Sequence, residues 1–421
     1  MTTSPAGAPP ESAPVRGAAR FWDRWRLGWL LLAALFVAPV GYAGPLGFVP
    51  LVGVAALALL PALRFRSSPR VILALAALLA WALVTWTWSP VEPDWTGSRV
   101  WVDLGGSVAL KLAALLPLCA AFVIAADLLR PTSARIVSVV LAGAVAVLAA
   151  VLLFEGVSGG ALYRQIQPDM RADLAFRNAG RGVFVAAVLF WPAAGVLTRR
   201  FGKGSALALA VGAAIIAAAV LLDMTAGALA VVAGGVVFAI FHAAPRFAGW
   251  LAAAFVTAFT LSAPWLALAA PPAGGQPASW AARLDIWREM AERAVQRPVT
   301  GWGLDASRTF DISLHPHNAA LQSWVELGLP GALLFALFWS VVFFACARIG
   351  REDPLAGGAW AGGATAYFVI GGLSFGMWQE WWLALGAAAF ATALTLRRGW
   401  SSVDPSTIAG WRSGGDTLRP L

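Results

Sequence analysis

The fold is decided by residues 27–63, which read LGWLLLAALFVAPVGYAGPLGFVPLVGVAALALLPAL and contain no charged side chain. A transmembrane helix needs about 20 mainly apolar residues, so this stretch is long enough for two spans. The dipeptide Gly44-Pro45 ends the first span, because glycine and proline together interrupt a helix. The stretch therefore predicts two membrane-spanning helices joined by a tight turn near residues 41–47.

The rest of the chain repeats this pattern. Of its 421 residues, 60% are hydrophobic and 12% are charged, with a mean hydropathy of +0.75, whereas soluble domains carry about 25% charged residues. The composition therefore argues against a soluble fold. Ten further apolar runs bring the prediction to twelve transmembrane helices in an all-α integral membrane protein; the runs are 71–90, 107–128, 134–155, 182–198, 204–222, 224–243, 247–267, 328–347, 356–376 and 380–396.

The distribution of basic residues predicts the orientation of the chain. With both termini in the cytoplasm, 19 of the 30 Lys and Arg residues lie on the inner side, 10 lie on the outer side, and Lys111 lies within a span. Cytoplasmic loops of membrane proteins are enriched in Lys and Arg. A net charge of +9 is thereby explained without a nucleic-acid partner.

Two long segments are predicted on the outer side, at about 155–181 and 262–328. In the second, Ser279 is expected to cap a helix from Trp280 to Gln296, and Pro316 is expected to lie in the first turn of another helix. The apolar stripe predicted for the first helix comprises Trp280, Leu284, Trp287, Ala291 and Val295. We interpret these helices as interfacial helices on the membrane surface or, equally, as packing helices of a lid.

Nine of the ten outer basic residues are arginines in these two segments. Some are expected to be helix-surface charges paired with neighbouring acids, Arg288 and Arg293 above all. The alternative is a site for a phosphorylated lipid, because arginine binds phosphate oxygens bidentately and stays charged. Arg181 points to such a site most directly, because it lies at the mouth of an uncharged span, where an ionisable residue is a functional hypothesis by default.

The outer loop also contains His315 and His317, which flank Pro316. A lone loop histidine is often inert, but a neutral imidazole is the natural general base near pH 7, and His317 stands next to Asn318 after an arginine-rich loop. The chain shows no metal-ligand spacing and no nucleotide-binding or hydrolase motif. We therefore expect no metal and no cofactor.

Three stretches resemble the central signature of the O-antigen ligase superfamily. They read ARLDIW at 282–287, RPVTGWG at 297–303 and HPHNAALQSWVELG at 315–328. This superfamily includes the ligases that join O-antigen to lipid A-core and the related O-antigen and exopolysaccharide polymerases. The layout of twelve spans, with the large loop between spans nine and ten, extends the resemblance over most of the chain.

The resemblance implies an inverting, metal-independent glycosyltransferase of the bacterial inner membrane, acting at the periplasmic face. Its donor would be a glycan linked to undecaprenyl diphosphate, and its acceptor lipid A-core or a growing glycan. The family's loop histidine matches His317, its loop-helix arginine matches Arg283, and its middle-span arginine matches Arg181, with Arg177 as the rival. The resemblance thus implies catalytic roles for His317, Arg283 and Arg181. Substrate binding is assigned to five further residues of the two outer segments: Arg177, Arg297, Arg308, Asn318 and Trp287.

This interpretation divides the chain into a disordered cytoplasmic N-terminus (1–25), spans one to nine (26–267), the periplasmic loop with the catalytic motif (268–327), spans ten to twelve (328–397) and a cytoplasmic tail (398–421). O-antigen ligation in lipopolysaccharide biosynthesis is the first choice, and polymerisation is the alternative. A peptidoglycan polymerase of the shape, elongation and division class is a more distant alternative. A flippase for lipid-linked oligosaccharides is the non-enzyme alternative, although it would place its cations deep within a central cavity.

Overall fold

A computed structural model describes residues 13–63, 70–96, 104–201, 205–271, 278–310 and 315–400. The predictions of a disordered segment at 1–12 and a cytoplasmic tail at 401–421 concern residues outside the described part of the chain. The described part consists of helices, short 3₁₀ turns and connections, and contains no β-strand. The prediction of an all-α integral membrane protein is confirmed.

Fourteen α-helices follow one another in the described residues. The first seven are α1 (Ala13–Ala43), α2 (Phe48–Leu59), α3 (Arg70–Thr85), α4 (Val108–Asp127), α5 (Pro131–Ser158), α6 (Ala161–Ile166) and α7 (Ala172–Phe201). The remaining seven are α8 (Ala206–Leu221), α9 (Thr225–Ala243), α10 (Pro245–Ala269), α11 (Ala278–Gln296), α12 (Ala319–Glu352), α13 (Pro354–Leu373) and α14 (Glu380–Trp400).

Each of the twelve predicted spans overlaps one of these helices. Within the described residues, nine helices are long and apolar enough to cross a membrane, and α8, with 16 residues, is a shorter apolar helix. The runs predicted at 356–376 and 380–396 correspond to α13 and α14, which pack in the same bundle. Only helices and closed barrels satisfy every backbone group within lipid, which is why hydropathy alone located these elements.

Successive long helices run in alternating directions, so that arginines from distant parts of the chain meet at one end of the bundle. Arg26 donates hydrogen bonds to the carbonyl oxygens of Ala62 (2.7 Å) and Leu128 (3.4 Å). Arg199 donates to the carbonyl oxygen of Trp400 (2.7 Å). We call this the arginine end, and the end that holds α11 the loop end. The side of the membrane that each end faces stays a prediction.

The N-terminal boundary differs from the expectation, because α1 begins at Ala13 and residues 13–25 are helical. A buried carboxylate holds this part of α1 to the bundle. Asp23 accepts hydrogen bonds from the backbone N–H of Arg130 (2.8 Å) and the Ser133 hydroxyl (2.7 Å). The predicted disorder of residues 13–25 was therefore wrong, because contacts with α5 stabilise a helix that local composition did not predict.

Glycines allow α9 and α13 to approach closely. A methyl group added at Gly234 would lie 2.8 Å from the Gly362 carbonyl oxygen, and one at Gly362 would lie 3.0 Å from that of Gly234. Small residues permit such close packing of membrane helices, where there is no hydrophobic driving force between them. This contact fixes the position of α13, whose C-terminal end supplies two backbone atoms to the site described next.

Candidate active site

Helix α11 packs on the bundle through one face. Met290, Ala291 and Ala294 are buried, whereas Val295, which the sequence placed on the apolar stripe, is 44% exposed. The helix begins at Ala278, so Ser279 lies inside it and the predicted Ser279 cap was wrong. Burial of this face favours the lid interpretation over a helix lying on the membrane surface.

The RPVTGWG segment interlocks with a break in α12 at Gly328. The backbone N–H groups of Trp302 and Gly303 donate to the carbonyl oxygens of Val325 (2.8 Å) and Glu326 (2.9 Å). Gly328 has φ 66° and ψ −166°, a conformation available essentially to glycine alone. A methyl group there would lie 2.1 Å from the Val299 carbonyl oxygen, so close contact between the two signature segments requires a glycine at this position.

The HPHN segment forms the entry to α12. Asn318 is the N-cap, and its side-chain oxygen accepts a hydrogen bond from the Leu321 N–H (3.0 Å). His317 precedes the cap with φ +54°, a left-handed conformation that cannot continue a helix. Pro316 therefore lies outside the helix, contrary to the prediction, and its carbonyl oxygen accepts a hydrogen bond from Trp287 Nε1 (3.0 Å). Asn318 and Trp287 thus each use a polar group to shape this loop.

Two consecutive carbonyl groups at the end of α13 hold the histidine and the arginine singled out by the motifs. Arg283 Nε donates to the Leu373 carbonyl oxygen (3.0 Å), and His317 Nδ1 lies 2.7 Å from the Ser374 carbonyl oxygen. Arg283 Nη1 also donates to the Ser279 carbonyl oxygen (2.9 Å). We call the carbonyl groups of Leu373 and Ser374 the carbonyl ledge, and it brings Arg283 and His317 into one site.

Burial sets the protonation of the histidines. It lowers the pKa of His317, an effect opposed by the hydrogen bond to Ser374 and reinforced by the charge of Arg283. Burial, together with His317 and Arg308, lowers the pKa of His315 to about 3. Both rings are therefore neutral near pH 7. Burial also lowers the pKa of Arg283, and the nearby Asp223 carboxylate opposes that shift.

The ring of His317 has a defined tautomer. A carbonyl oxygen can only accept a hydrogen bond, so Nδ1 carries the proton in the contact with Ser374 and Nε2 presents a lone pair. His315 supports this arrangement from the other side, because its Nδ1 accepts a hydrogen bond from the backbone N–H of His317 (3.2 Å). His315 is thus a structural neighbour with its Nδ1 occupied.

Arg177 and Arg181 lie one turn apart on α7 at the loop end. Both are exposed, and neither has a hydrogen-bond or ion-pair partner within the described part of the chain. Phe184, one turn below Arg181, contacts Phe375 with ring centroids 5.0 Å apart. Because Phe375 follows Ser374, Arg181 lies beside the α13–α14 linker that forms the carbonyl ledge.

The other two predicted arginines are occupied. The Arg308 guanidinium pairs with Asp305 (2.9 Å), and its effect on His315 places it near the histidines. Arg297 lies over the Trp302 ring at 4.0 Å and has no contact with the carbonyl ledge in the described structure. Arg293, outside the assigned site, pairs with Glu289 (3.7 Å), as expected for a helix-surface charge.

A buried carboxylate was missed by the assignment of site residues. Glu326 is fully buried and accepts hydrogen bonds from Ser307, Gln322, Trp378 and the backbone of Asp305. The signal was present in the sequence, because Glu326 is an acid within an otherwise uncharged run after Asn318. Such residues are rare at membrane depth and are usually paired or functional.

An apolar cavity of about 390 Å³ reaches from this site into the bundle. At the loop end it is lined by Ala319, Ala320 and Trp378, and it extends along α13 from Gly372 to Trp360. That distance is about 18 Å at 1.5 Å per residue, more than half of a bilayer core about 30 Å thick. The cavity opens at the side of the bundle, between α3 and α4. Two of its lining residues there are exposed, Ala76 on α3 and Pro117 on α4.

Comparison with known proteins finds matches for part of the chain. The family model described as O-antigen ligase matches residues 209–336, from α8 into α12. The chain is 30% identical to a Rickettsia conorii protein and 32% identical to one of Rickettsia bellii, each named "Putative polysaccharide ligase". These alignments cover 26% and 25% of this chain and 30% and 29% of the relatives, so the chain spans less than a third of their length.

The chain is thus a multi-pass, all-α membrane protein in which residues 209–336 match the family model described as O-antigen ligase. The resemblance to the O-antigen ligase superfamily that the motifs indicated is confirmed. Arg283 and His317 lie inside the matched segment, whereas Arg177 and Arg181 precede it. The roles of all four residues stay predictions.

Proposed function

We propose that this protein is an inverting glycosyltransferase that moves a glycan from undecaprenyl diphosphate to an acceptor hydroxyl at the periplasmic face of the inner membrane. O-antigen ligation to lipid A-core is the reaction that we favour. The proposal rests above all on the carbonyl ledge, which holds a neutral histidine and an arginine side by side at Ser374 and Leu373.

His317 acts as the general base. Its Nε2 lone pair accepts the proton of the acceptor hydroxyl while the hydroxyl oxygen attacks the anomeric carbon of the donor. The bond between that carbon and the diphosphate oxygen breaks, and the electron pair leaves with the undecaprenyl diphosphate. Attack on the face opposite the leaving group inverts the anomeric configuration. The imidazolium then releases its proton to water.

Arginines stabilise the leaving diphosphate. A guanidinium has five N–H donors, and Arg283 uses one for Leu373 and one for Ser279, which leaves three for phosphate oxygens. Arg181 adds an exposed charge on the neighbouring α7, with Arg177 one turn further out. Stabilisation of charge that develops in the transition state is commonly the largest catalytic contribution.

The apolar cavity accepts the polyprenyl tail of the donor. Its opening between α3 and α4 admits a lipid chain from the bilayer, and its loop end reaches Ala319, two residues after His317. A tail in this cavity brings the anomeric carbon towards the carbonyl ledge. The cavity walls are almost wholly apolar, which suits a hydrocarbon chain and not a free sugar.

The test uses asparagine substitutions at the two histidines. Asparagine places an amide near the position of Nδ1 and tolerates a left-handed backbone, so His317→Asn retains the donor to Ser374 but has no base. We expect purified His317→Asn to lose about 10²–10⁴-fold in transfer rate, the usual loss without general base catalysis. The matched control His315→Asn retains an acceptor for the His317 N–H and is expected to stay within about tenfold of the wild type, since no proton transfer passes through it.

The assay supplies an undecaprenyl-diphosphate-linked O-antigen with and without lipid A-core, and it measures glycosidic product. Product only with lipid A-core supports ligation, whereas elongated donor without lipid A-core indicates polymerisation. Full transfer by His317→Asn would contradict the mechanism. If the donor moved across vesicle membranes and no variant formed glycosidic product, the protein would be a flippase and not an enzyme.

A further inference from the structure

Glu326 lies where no substrate reaches it. Its side chain is 0% exposed, and it follows His317 by nine residues, about 13 Å along a helix at 1.5 Å per residue. Its Oε1 accepts hydrogen bonds from the Ser307 hydroxyl (2.6 Å) and Gln322 Nε2 (2.9 Å). Its Oε2 accepts from Trp378 Nε1 (2.6 Å) and the Asp305 N–H (3.0 Å).

Three of these four partners can only donate to Glu326, and the Ser307 hydroxyl can either donate or accept. The indole of Trp378 and the backbone N–H of Asp305 can only donate. The Gln322 amide is oriented as a donor towards Glu326, because its oxygen accepts a hydrogen bond from the Met377 N–H (2.8 Å). A buried charge is tolerated when hydrogen bonds satisfy it, and here both oxygens have two donors each.

A second buried acid, Asp305, lies next to Glu326. Burial and the charge of Glu326 raise the pKa of Asp305 to about 7, while Arg308 and Lys111 oppose that rise and Glu380 adds to it. Asp305 Oδ2 is buried and has no hydrogen-bond partner within the described structure. Asp305 Oδ1 pairs with the Arg308 guanidinium (2.9 Å), whose charge offsets one of the two neighbouring acids.

Two of the four contacts connect Glu326 to the α13–α14 linker. Trp378 is bound directly, and Met377 is bound through Gln322. The same linker begins at Ser374, whose carbonyl oxygen meets His317 Nδ1, directly after Leu373, whose carbonyl oxygen meets Arg283. Linker and histidine loop also pack directly, because a methyl group added at Gly376 would be 3.1 Å from His315.

We propose that Glu326 is a positioning residue that holds the carbonyl ledge, and through it His317 and Arg283, in the geometry needed for glycosyl transfer. This inference rests on the proposed function. The carboxylate acts as the fixed point between α12 and the linker. When it is lost, the linker moves away from α12, and His317 loses the acceptor that orients its ring.

The decisive variants exchange the acid and the amide. In Glu326→Gln the amide oxygen can accept from Trp378 and Asp305, and one N–H can donate to the Ser307 oxygen. The second N–H faces the Gln322 NH₂, so this pair of donors has no acceptor. The double variant Gln322→Glu/Glu326→Gln restores the pairing. At position 326 the introduced amide oxygen accepts from Trp378 and Asp305, and the introduced NH₂ donates to the Ser307 oxygen and to the carboxylate now at position 322. That carboxylate also accepts from the Met377 N–H, as the Gln322 amide oxygen does in the wild type.

The first readout is hydrogen exchange of the amides at 373–383, followed by mass spectrometry on the purified full-length protein. We expect faster exchange in Glu326→Gln and wild-type protection in the double variant. Ser307→Ala is the matched control, because it removes one donor to Glu326 and leaves both contacts to the linker. Unchanged exchange in Glu326→Gln, or no recovery in the double variant, would overturn the proposal.

The second readout is the pH profile of transfer, with undecaprenyl-diphosphate-linked O-antigen and lipid A-core. We expect Glu326→Gln to lower kcat about 10²-fold, as a misplacement of about 1 Å does, and to move the acidic limb to lower pH, because His317 loses the hydrogen bond that raises its pKa. The double variant should recover both. A lower kcat with an unmoved limb would indicate a merely structural role and refute the positioning role.

The two readouts separate this proposal from the proposed function. If the wild-type protein forms no glycosidic bond, the proposed function fails, and hydrogen exchange still decides whether Glu326 holds the linker. If the wild type is active and Glu326→Gln is equally active, only the positioning role fails.

Discussion

Replacement of Arg283 by alanine tests the phosphate-binding half of the site. The change removes the three N–H donors that are left after the contacts with Leu373 and Ser279. Loss of a preorganised donor to developing negative charge costs about 2–4 kcal/mol, which corresponds to about 10²–10³ in rate at 1.36 kcal/mol per factor of ten. We expect Arg283→Ala to lower both kcat and kcat/KM by that factor.

Arg283→Lys should recover only part of this loss. A lysine ammonium is a point charge on a flexible stem, whereas the guanidinium is a planar fork. The ammonium cannot donate to Leu373 and present two parallel donors to a phosphate at the same time.

The charge of Arg283 also affects the pH profile of transfer. Arg283 lowers the pKa of His317, so removal of the charge in Arg283→Ala should move the acidic limb of the rate profile to higher pH.

Arg288→Ala is the control on the same helix. Five residues separate the two arginines, which turns their side chains about 140° apart around an α-helix of 3.6 residues per turn. Arg288 donates to the Ala270 carbonyl oxygen (2.7 Å) and lies on a face with Asp285 and Glu289. We expect a change of less than about threefold, because the partly buried Arg288 side chain points away from the carbonyl ledge and donates to the Ala270 carbonyl oxygen instead. A large loss in Arg288→Ala with none in Arg283→Ala would refute the assignment.

Two further predictions concern pH and topology. Burial lowers the pKa of His317 below its ordinary 6.5. The transfer rate of the wild type should therefore be independent of pH near neutrality and should fall only as the pH drops through that lowered pKa. An acidic limb above pH 6.5 would contradict a neutral, buried base. Cysteines introduced at the exposed Gln167 and Gln296 should react with a membrane-impermeant thiol reagent in intact spheroplasts, whereas cysteines at the exposed Ala244 and Arg351 should not. The native Cys119 and Cys346 are buried and should not react. The reverse labelling pattern would place the proposed site in the cytoplasm.

The sequence predicted the spans well and the ends of helices poorly. Apolar runs located all twelve bundle helices, because in lipid each backbone hydrogen bond must close within its own helix. Boundaries failed where a tertiary contact decides them. Helix α1 begins at Ala13, earlier than predicted, and Asp23 and Arg26 hold its first part to the bundle. Helix α12 begins after His317, because the left-handed backbone of that residue cannot be part of a helix.

Within the site, the motifs singled out candidate side chains but did not predict how those side chains meet. His317 and Arg283 were identified separately, as a possible base and a possible phosphate ligand. The atoms that join them lie 57 and 90 residues away along the chain, at Ser374 and Leu373. No pattern in the α13–α14 linker indicated this, because backbone carbonyl groups are common to all residues.

This use of backbone atoms explains why Glu326 matters for a ledge to which it contributes no atom. A carbonyl group can be moved only by moving its chain, so the orientation of His317 depends on whatever fixes the linker. The linker is fixed by side chains, chiefly Trp378 and Gln322, and both converge on the Glu326 carboxylate. Residues 373 and 374 can therefore vary in side chain while the geometry is kept, whereas the acid that carries no chemistry of its own cannot be exchanged for an amide without a matching exchange at position 322.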